Sequence, residues 1–490
     1  MRESDLERLL EGMGRDLIRK VLQAHLDLRQ PGKAMEAVRD AAGTPLTPTQ
    51  EHTRNVETIF GPVEVTRTGY RAEDQPSLHP LDAGLNLPPE KYSLEVRRRV
   101  AMEAAKGSFD EGVKTLETYT GAHVPKRQFE ELVSRAAQDF DLFYDERRTR
   151  ARADAGGESI LVLSVDGKGV IMRPEDLREA TQRAAEKREK SFTARLGRDR
   201  RLHAKRMASV AAVYSVDPFV RTPEEILPLR VEEEREKPTR PRPEDKRVWA
   251  SLSHSPEEVI AAMFDEAMHR DPKQDKHWIV LVDGNLMQLD YIQQAAKERK
   301  LDFDIVVDFI HVAQYVWRAS LALIPDNPVE QDRWVRAHLL EVLRGKASLV
   351  AGGIRRSATL RGLAAAERKA VDACADYLIH YSFYLRYDKM LAAGMPIATG
   401  IIEGACRHLV EDRMNLTGAH WSLNGAEAVL RLRALRSSDD FDAYWQFHEE
   451  QEYKRNHASH YADQRVPSVA VPPALLSQPG RRPALKIVKK

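Results

Sequence analysis

Two short stretches constrain this chain more than any others. "ILVLSVDGKG" (Ile160–Gly169) and "WIVLVDGNL" (Trp278–Leu286) each carry an apolar, β-branched run straight into Val-Asp-Gly. Runs of that kind, closed by a turn residue, read as strands buried on both faces, as in a sheet covered by helices. From Ser159 onward strands and helices alternate. "RMASVAAVYSV" (Arg206–Val216) and "FDIVVDFI" (Phe303–Ile310) are further strands, and the helical "LMQLDYIQQAAKERK" lies between the last two. The expected fold class is α/β.

With 490 residues and 42% hydrophobic content there is material for more than one core. Lys+Arg 76 against Asp+Glu 75 leaves a formal net charge of +1, so any polyanion must be met by local patches rather than by the whole chain. Cys374 and Cys406 have no CxxC spacing, which argues against a disulfide framework or a cysteine-based zinc site and fits a reducing cytosol. The start "MRESDLERLLEGMG" reads as charged and helical rather than as a secretory leader, and no apolar run approaches the roughly 18 residues of a membrane span. A cytoplasmic protein with no membrane partner is expected.

Residues 1–150 read as a separate, mainly helical module. Residues 8–29 have helical periodicity, and "FGPVEVTRTGYR" (Phe60–Arg71) alternates as a strand or hairpin. Ser93 is a candidate N-cap for the helix carrying Arg97, Arg98 and Arg99. Phe109, Val113 and Leu116 then form one helical stripe, Thr120-Gly121 breaks it, and Pro125 opens a second helix with the stripe Phe129, Leu132, Val133 and Ala136. This is a helix-turn-helix pattern, in which Lys126, Arg127 and Gln128 would enter a DNA major groove. An ordinary helical hairpin with a solvated charged end gives the same pattern.

Residues 151–450 read as the α/β domain, interrupted by two charged stretches: the basic "RLGRDRRLHAKR" (Arg195–Arg206), and a Pro- and charge-rich insertion over about 221–248. The interval between Asp283 and Glu403 is too long for a plain loop, so a helical insertion over about 312–395 is expected. Residues 451–490 read as a basic, flexible tail.

An aspartate ending a buried strand is often only a turn-former. Two of them, converging at the strand ends of an open α/β sheet, can instead hold a hard cation such as Mg²⁺ or Mn²⁺ through oxygen. Such a site needs a third anion. The candidate is Glu403, set among Gly400, Ile401, Ile402, Gly404 and Ala405 just inside a helix start, with Arg407 as an alternative partner for its charge. Glu411, Asp412 and Glu427 compete less well, having arginines beside them. Arg407 and Arg413 are candidate phosphate contacts, and Trp421 is either a core residue or a platform for an unpaired base.

Together "SVDGKGV", "MASVAAVYSV", "LVDGNL", "DFIHVAQYVW" and the long segment Gly394–His448, which opens "GMPIATGIIEGACRHLVEDRMN", resemble the DDE transposases of bacterial insertion sequences of the ISKra type, distantly similar to mutator-like transposases. The resemblance implies an RNase H-like catalytic core with a helical insertion, preceded by a mainly α helix-turn-helix module. It implies a metal-binding catalytic triad of Asp166, Asp283 and Glu403 serving two Mg²⁺ (or Mn²⁺) ions. "DFIH" matches a C/D-x-x-H signature, which brings in His311 as catalytic and Asp308 as its support. The implied reaction cleaves the ends of a mobile element and joins the 3′-hydroxyl to target DNA, through a homo-oligomer on DNA at the nucleoid. A nuclease without strand transfer, or a DNA-binding regulator with a non-catalytic core, would share most of these features. Relatives often carry cysteine pairs near "GYRAEDQPSLHPLDA"; none is present here, so zinc is not expected.

Overall fold

The computed structural model describes residues 2–149, 159–186, 204–227, 239–416 and 418–470. Most of the basic run Arg195–Arg206, the middle of the charged insertion and residues 471–490 lie outside the described residues. The chain forms two compact units, one comprising 1–143 with 441–490 and the other 144–440. Among the described residues no helix is long and apolar enough to cross a membrane.

In the first unit the helix Glu3–Leu28 precedes an antiparallel hairpin of β1 (Thr47–Thr58) and β2 (Gly61–Arg71). Thr58 and Gly61 close the turn, and Gly61 has a φ of 113°, which only glycine adopts without strain. Val56, Val63, Val65 and Leu81 form a core on which Leu22 and Leu26 of the first helix pack. β1 is largely polar and carries little sequence signal; pairing with β2 makes it a strand. Three helices follow and pack on one another: Leu94–Lys106, Phe109–Tyr119 and Lys126–Ala136. Ser93 and Ser108 cap the first two, each accepting a backbone N–H from three residues on. In the third, Phe129, Leu132, Val133 and Ala136 are buried, as their spacing requires.

The C-terminal boundary differs from the sequence reading. The helix Phe441–Asn456 belongs to this first unit rather than to the α/β domain or to a flexible tail. Its attachment is electrostatic as well as apolar. Arg97 has 0% exposure and pairs with Glu90 and, at 2.6 Å, with Glu452, while its Nη1 lies 3.0 Å from His448 Nε2. His448 Nδ1 in turn lies 2.7 Å from Asp139, which also pairs with Arg455. Arg97 therefore faces inward and is not available to DNA.

The second unit is built on a five-stranded sheet of β3 (Ile160–Ile171), β4 (Lys205–Val216), β5 (Glu244–Ser251), β6 (His277–Val282) and β7 (Asp304–Val307), in the order β5-β4-β3-β6-β7. β3 pairs antiparallel with β4 and β4 with β5, whereas β3–β6 and β6–β7 are parallel. Consecutive buried residues along β3, β4 and β6 show that both faces are covered. The helices Pro256–Arg270, Leu423–Ser437 and Gly400–Ala405 pack against it. Between β7 and residue 400 the chain is helical, through Phe309–Leu323, Pro328–Leu343, Ala347–Leu360, Ala365–His380 and Tyr387–Ala392.

The charge-rich insertion over about 221–248 is partly structure, because its last residues are the start of edge strand β5. Arg247 is buried there. It pairs with the buried Glu266 and stacks over Tyr144 at 3.5 Å and Trp249 at 4.6 Å. Burial alone would raise the Glu266 carboxyl, but Arg247 and Arg270 outweigh it and hold it down at about 2. A neutralised guanidinium can thus occupy a strand that composition alone reads as solvated.

Replacing Arg97 with Ala would remove the buried cation that Glu90, Glu452 and His448 share. We expect a loss of about 3–5 kcal/mol, the range for breaking a buried ion pair from one side. Denaturant unfolding of the full chain measures it, and a loss below about 1 kcal/mol would mean that water or Arg455 takes over the role.

Candidate metal centre

The register of the parallel strands builds the site. Ser164 pairs with Leu281, and Val282 pairs with Val307. Extending the first ladder by two residues and the second by one brings Asp166, Asp283 and Asp308 into a single row. The Asp308 N–H, donating to the Val282 carbonyl at 2.8 Å, shows the second ladder continuing. Each aspartate follows a valine. The repeated device is therefore Val-Asp on three neighbouring strands, and in-register residues point to the same face.

Asp166 is half-buried. Its Oδ1 accepts the Gly167 N–H at 2.6 Å and its Oδ2 the Cys406 thiol at 3.2 Å. Burial, with Asp166 adding to it, pushes the Cys406 thiol far up, so it stays protonated and acts as a donor. Asp283 is also half-buried and accepts the Asn285 N–H at 2.8 Å. Burial first, and then the nearby Asp166 charge, raise the Asp283 carboxyl above its ordinary value against the pull of that amide. Gly284, at φ 93°, turns the chain beneath Tyr377 and Tyr381, and an added Cβ would meet the Tyr377 hydroxyl at 3.1 Å. The two tyrosine hydroxyls donate to the carbonyls of Asp283 and Gly284, the first at 3.1 Å.

Asp308 is fully buried and caps the helix Phe309–Leu323. Its Oδ1 accepts the N–H groups of Ile310 at 3.1 Å and Thr399 at 3.3 Å; its Oδ2 accepts the Thr399 hydroxyl at 2.8 Å and lies 2.9 Å from His311 Nδ1. Burial would raise this carboxyl, but the bonds from His311, Thr399 and Ile310 bring it below its ordinary value. His311 is raised above its ordinary value, by the Asp308 bond first and then by the charges of Asp308, Asp283 and Asp166, against burial. Three negative groups thus act on one imidazole.

Glu403 stands on the short helix Gly400–Ala405, whose start is tied to Asp308 through Thr399. Ligand atoms of Asp308, His311 and Glu403 lie within 4.8 Å of one another. The expected trio of Asp166, Asp283 and Glu403 is not among the groups that meet within that distance among the described residues. Glu403 is exposed rather than enclosed, because Ile402 and Ala405 supply the buried side of the helix. From Cys406 to Glu411 the helix has π geometry; Arg407 there lies 3.7 Å from Asp412, and the Cys406 thiol meets Asp166. The competing acids are engaged elsewhere. Glu411 pairs with Lys168 at 2.5 Å, Asp412 with His408 at 2.9 Å, and the buried Glu427 accepts Ser251 Oγ at 2.8 Å and the Leu252 N–H at 2.7 Å.

A second group, Asp139, His448 and Glu452, also meets within 4.8 Å. It is already threaded by the guanidinium groups of Arg97 and Arg455 and is an ion network rather than an open centre.

The residues expected to touch DNA are distributed unevenly. Lys126 and Arg127 are exposed, the first 2.7 Å from Asp110 and the second 3.4 Å from Glu131. Gln128 is half-buried and accepts the Tyr92 hydroxyl. Arg407 is exposed. Arg413, expected at a phosphate, is buried instead, and Trp421 takes the core alternative: the guanidinium lies 4.6 Å over the indole, and the indole N–H donates to the Met414 carbonyl at 3.1 Å. Buried side chains packed on each other cannot serve as a phosphate contact and a base platform.

Scans against protein-family models and curated proteins each return no match. Among solved structures the chain is similar to one titled "Drosophila P element transposase strand transfer complex", at 10% identity over 75% of this chain and 82% of that one, with a TM-score of 0.23. A TM-score that low does not identify a shared fold.

The His311–Asp308 pair sets a pH signature. A histidine raised in the folded state contributes stability that is full below its ordinary value of 6.5 and is lost as pH rises through the higher folded value. In metal-free buffer the Tm deficit of His311→Gln should therefore be larger near about pH 6 than near about pH 9. An equal deficit at both would make the contact a neutral hydrogen bond.

Proposed function

We propose that this chain is a DDE-type DNA transposase of the ISKra kind, which cuts the ends of a mobile element and joins the freed 3′-hydroxyl to target DNA. The single observation that carries the reading is the row of strand-end carboxylates, with His311 and Glu403 beside it. The Asp283 carboxyl, raised by burial first and then by the nearby Asp166 charge, has the electrostatics of an acidic pocket suited to a hard cation. An RNase H-like reading of the core is supported by the mixed five-stranded sheet, whose acids sit where the strand order turns from β3 to either side.

Asp166, Asp283 and Glu403 would hold the Mg²⁺ or Mn²⁺ ions. When bound, two such ions supply charge stabilisation at phosphorus and an activated attacking oxygen. Asp308, with four donors already on its two oxygens, orients His311 instead of serving as an open ligand. His311, its Nδ1 held by Asp308, has Nε2 left to contact a scissile phosphate or hold a proton near it. Both chemical steps are in-line displacements, so positioning and charge are most of what the protein must supply. The packed helices Phe109–Tyr119 and Lys126–Ala136, with Lys126 and Arg127 at an exposed helix start, support a helix-turn-helix reading for end recognition.

The test is metal-dependent cleavage of element-end DNA and strand transfer of pre-cut ends. Asp166→Asn, Asp283→Asn and Glu403→Gln should each abolish both steps while DNA binding persists, and His311→Ala should slow them with the fold intact. Near-normal Mg²⁺-dependent nicking by either aspartate variant would sink the proposal. Nicking without strand transfer in the wild type would make the chain a nuclease.

Lys126→Ala combined with Arg127→Ala should weaken end binding without altering metal dependence, with on the order of 1–3 kcal/mol of discrimination lost if one of them reads a base edge. Unchanged affinity for specific and random duplex in a gel-shift titration would move recognition to another surface.

A further inference from the structure

The helix Glu3–Leu28 carries apolar residues on two opposite sides, and only one of them is used. On the inner side Leu22 and Leu26 pack on the hairpin core, and Arg15 donates to the Thr120 carbonyl at 3.0 Å and the Thr118 carbonyl at 2.9 Å. At about 100° of turn per residue, the outer side holds Leu6, Leu10, Met13, Leu17, Val21, Ala24 and Leu28 in one stripe. All seven are exposed, from Leu6 at 41% to Leu17 at 63% among the large ones. A single apolar residue on a surface is ordinary. A stripe that runs about 33 Å, at about 1.5 Å per residue, marks an interface.

The spacing of the stripe identifies what covers it. Its intervals are four, three, four, four, three and four residues, the same read from either end. Leu6, Leu17 and Leu28 recur every eleven residues, a period close to that of a straight helix, so the stripe stays on one face. A stripe symmetric about Leu17 is matched by itself turned end for end: Leu6 meets Leu28, Leu10 meets Ala24, Met13 meets Val21 and Leu17 meets Leu17. Charge selects the same orientation. Residues 2–14 carry four acids against two arginines, and residues 15–29 carry four bases against two aspartates. Antiparallel pairing sets each acidic half on a basic half, whereas parallel pairing sets like on like.

We propose that two copies of this chain pair through the helix Glu3–Leu28, antiparallel about a two-fold axis at Leu17, and that they do so without DNA. The same patch meets itself in such a contact, so it closes as a dimer and leaves no free copy of the stripe to build a fibre. The pairing does not depend on the strand-end acids and gives an occupant to a surface for which the proposed chemistry has no use.

The test is the mass of the full-length protein in DNA-free buffer, measured by light scattering behind gel filtration at micromolar concentration. We expect twice the 55.6 kDa of one chain. Leu10→Glu combined with Leu17→Glu changes only exposed positions and leaves Leu22 and Leu26 on the hairpin core, so it should halve the mass while the circular dichroism remains that of a folded chain. Orientation is read by disulfide trapping, with the native Cys374 and Cys406 both buried. Leu17→Cys should link to itself under mild oxidation. Leu10→Cys co-expressed with Ala24→Cys should give a linked pair, and Leu10→Cys alone should not. A wild-type monomer, or a dimer that persists in the double glutamate variant, overturns the proposal. So does a Leu10→Cys dimer linked as fully as that of Leu17→Cys, which would mean parallel helices. A monomer whose Leu17→Cys thiol resists alkylation overturns it as well and gives the stripe to another segment of the same chain.

Discussion

The second unit depends on the register of β6 between β3 and β7. Because side chains alternate between faces, a slip of one residue on either side would carry an aspartate to the opposite face and separate it from its neighbours. Because β3 and β6 are apolar on both faces, alternation does not select that register. Ser164 donates its hydroxyl to the Leu281 carbonyl at 2.9 Å across the first ladder, and a slip that drew an aspartate into the apolar interior would cost its desolvation. With the register set, Asp166, Asp283 and Asp308 follow as one row.

Acids brought together at the edge of an apolar sheet are costly, and the molecule meets that cost in different ways at different places. Asp308 is satisfied completely by backbone amides, a threonine and a histidine. Glu403 stays exposed, and Asp283 remains half-buried with its carboxyl raised. Elsewhere buried acids are paired with arginines, as Glu266 is with Arg247 and Arg270, and as Asp139 and Glu452 are with Arg455 and, for Glu452, Arg97. The contrast matters for function. Internal arginines make a rigid scaffold, whereas acids facing an opening without an arginine among their hydrogen-bond partners keep their negative field for a ligand.

Hydrogen bonds join the parts of the site so that each supports the next. Thr399 ties the helix bearing Glu403 to Asp308, Asp308 orients His311, and Tyr377 and Tyr381 hold the turn at Asp283. The π segment after Ala405 begins at Cys406, whose thiol donates to Asp166, so this irregular helical stretch adjoins the acidic row.

Much of this was legible in the residues themselves. Apolar β-branched runs marked β3, β4, β6 and β7, helical stripes marked the helices around Phe109–Ala136, and Ser93 marked one cap, because these are local signals with short periods. The Val-Asp device was visible too, and its third instance in "IVVDF" could have been read as one more member of the row. Other features depended on partners distant in sequence. β1 and β5 are polar or charged and become strands only by pairing, the second with Arg247 neutralised by Glu266. Arg413 and Trp421 are interior because they pack on each other, and Arg97 because Glu90 and a helix from the far end of the chain meet it. The sequence by itself determined which residues could be strands and which could carry negative charge. Tertiary structure alone decided which acids share a face, which are neutralised and which stay open, since burial and Coulomb interaction depend on distances in space that the order of residues does not contain.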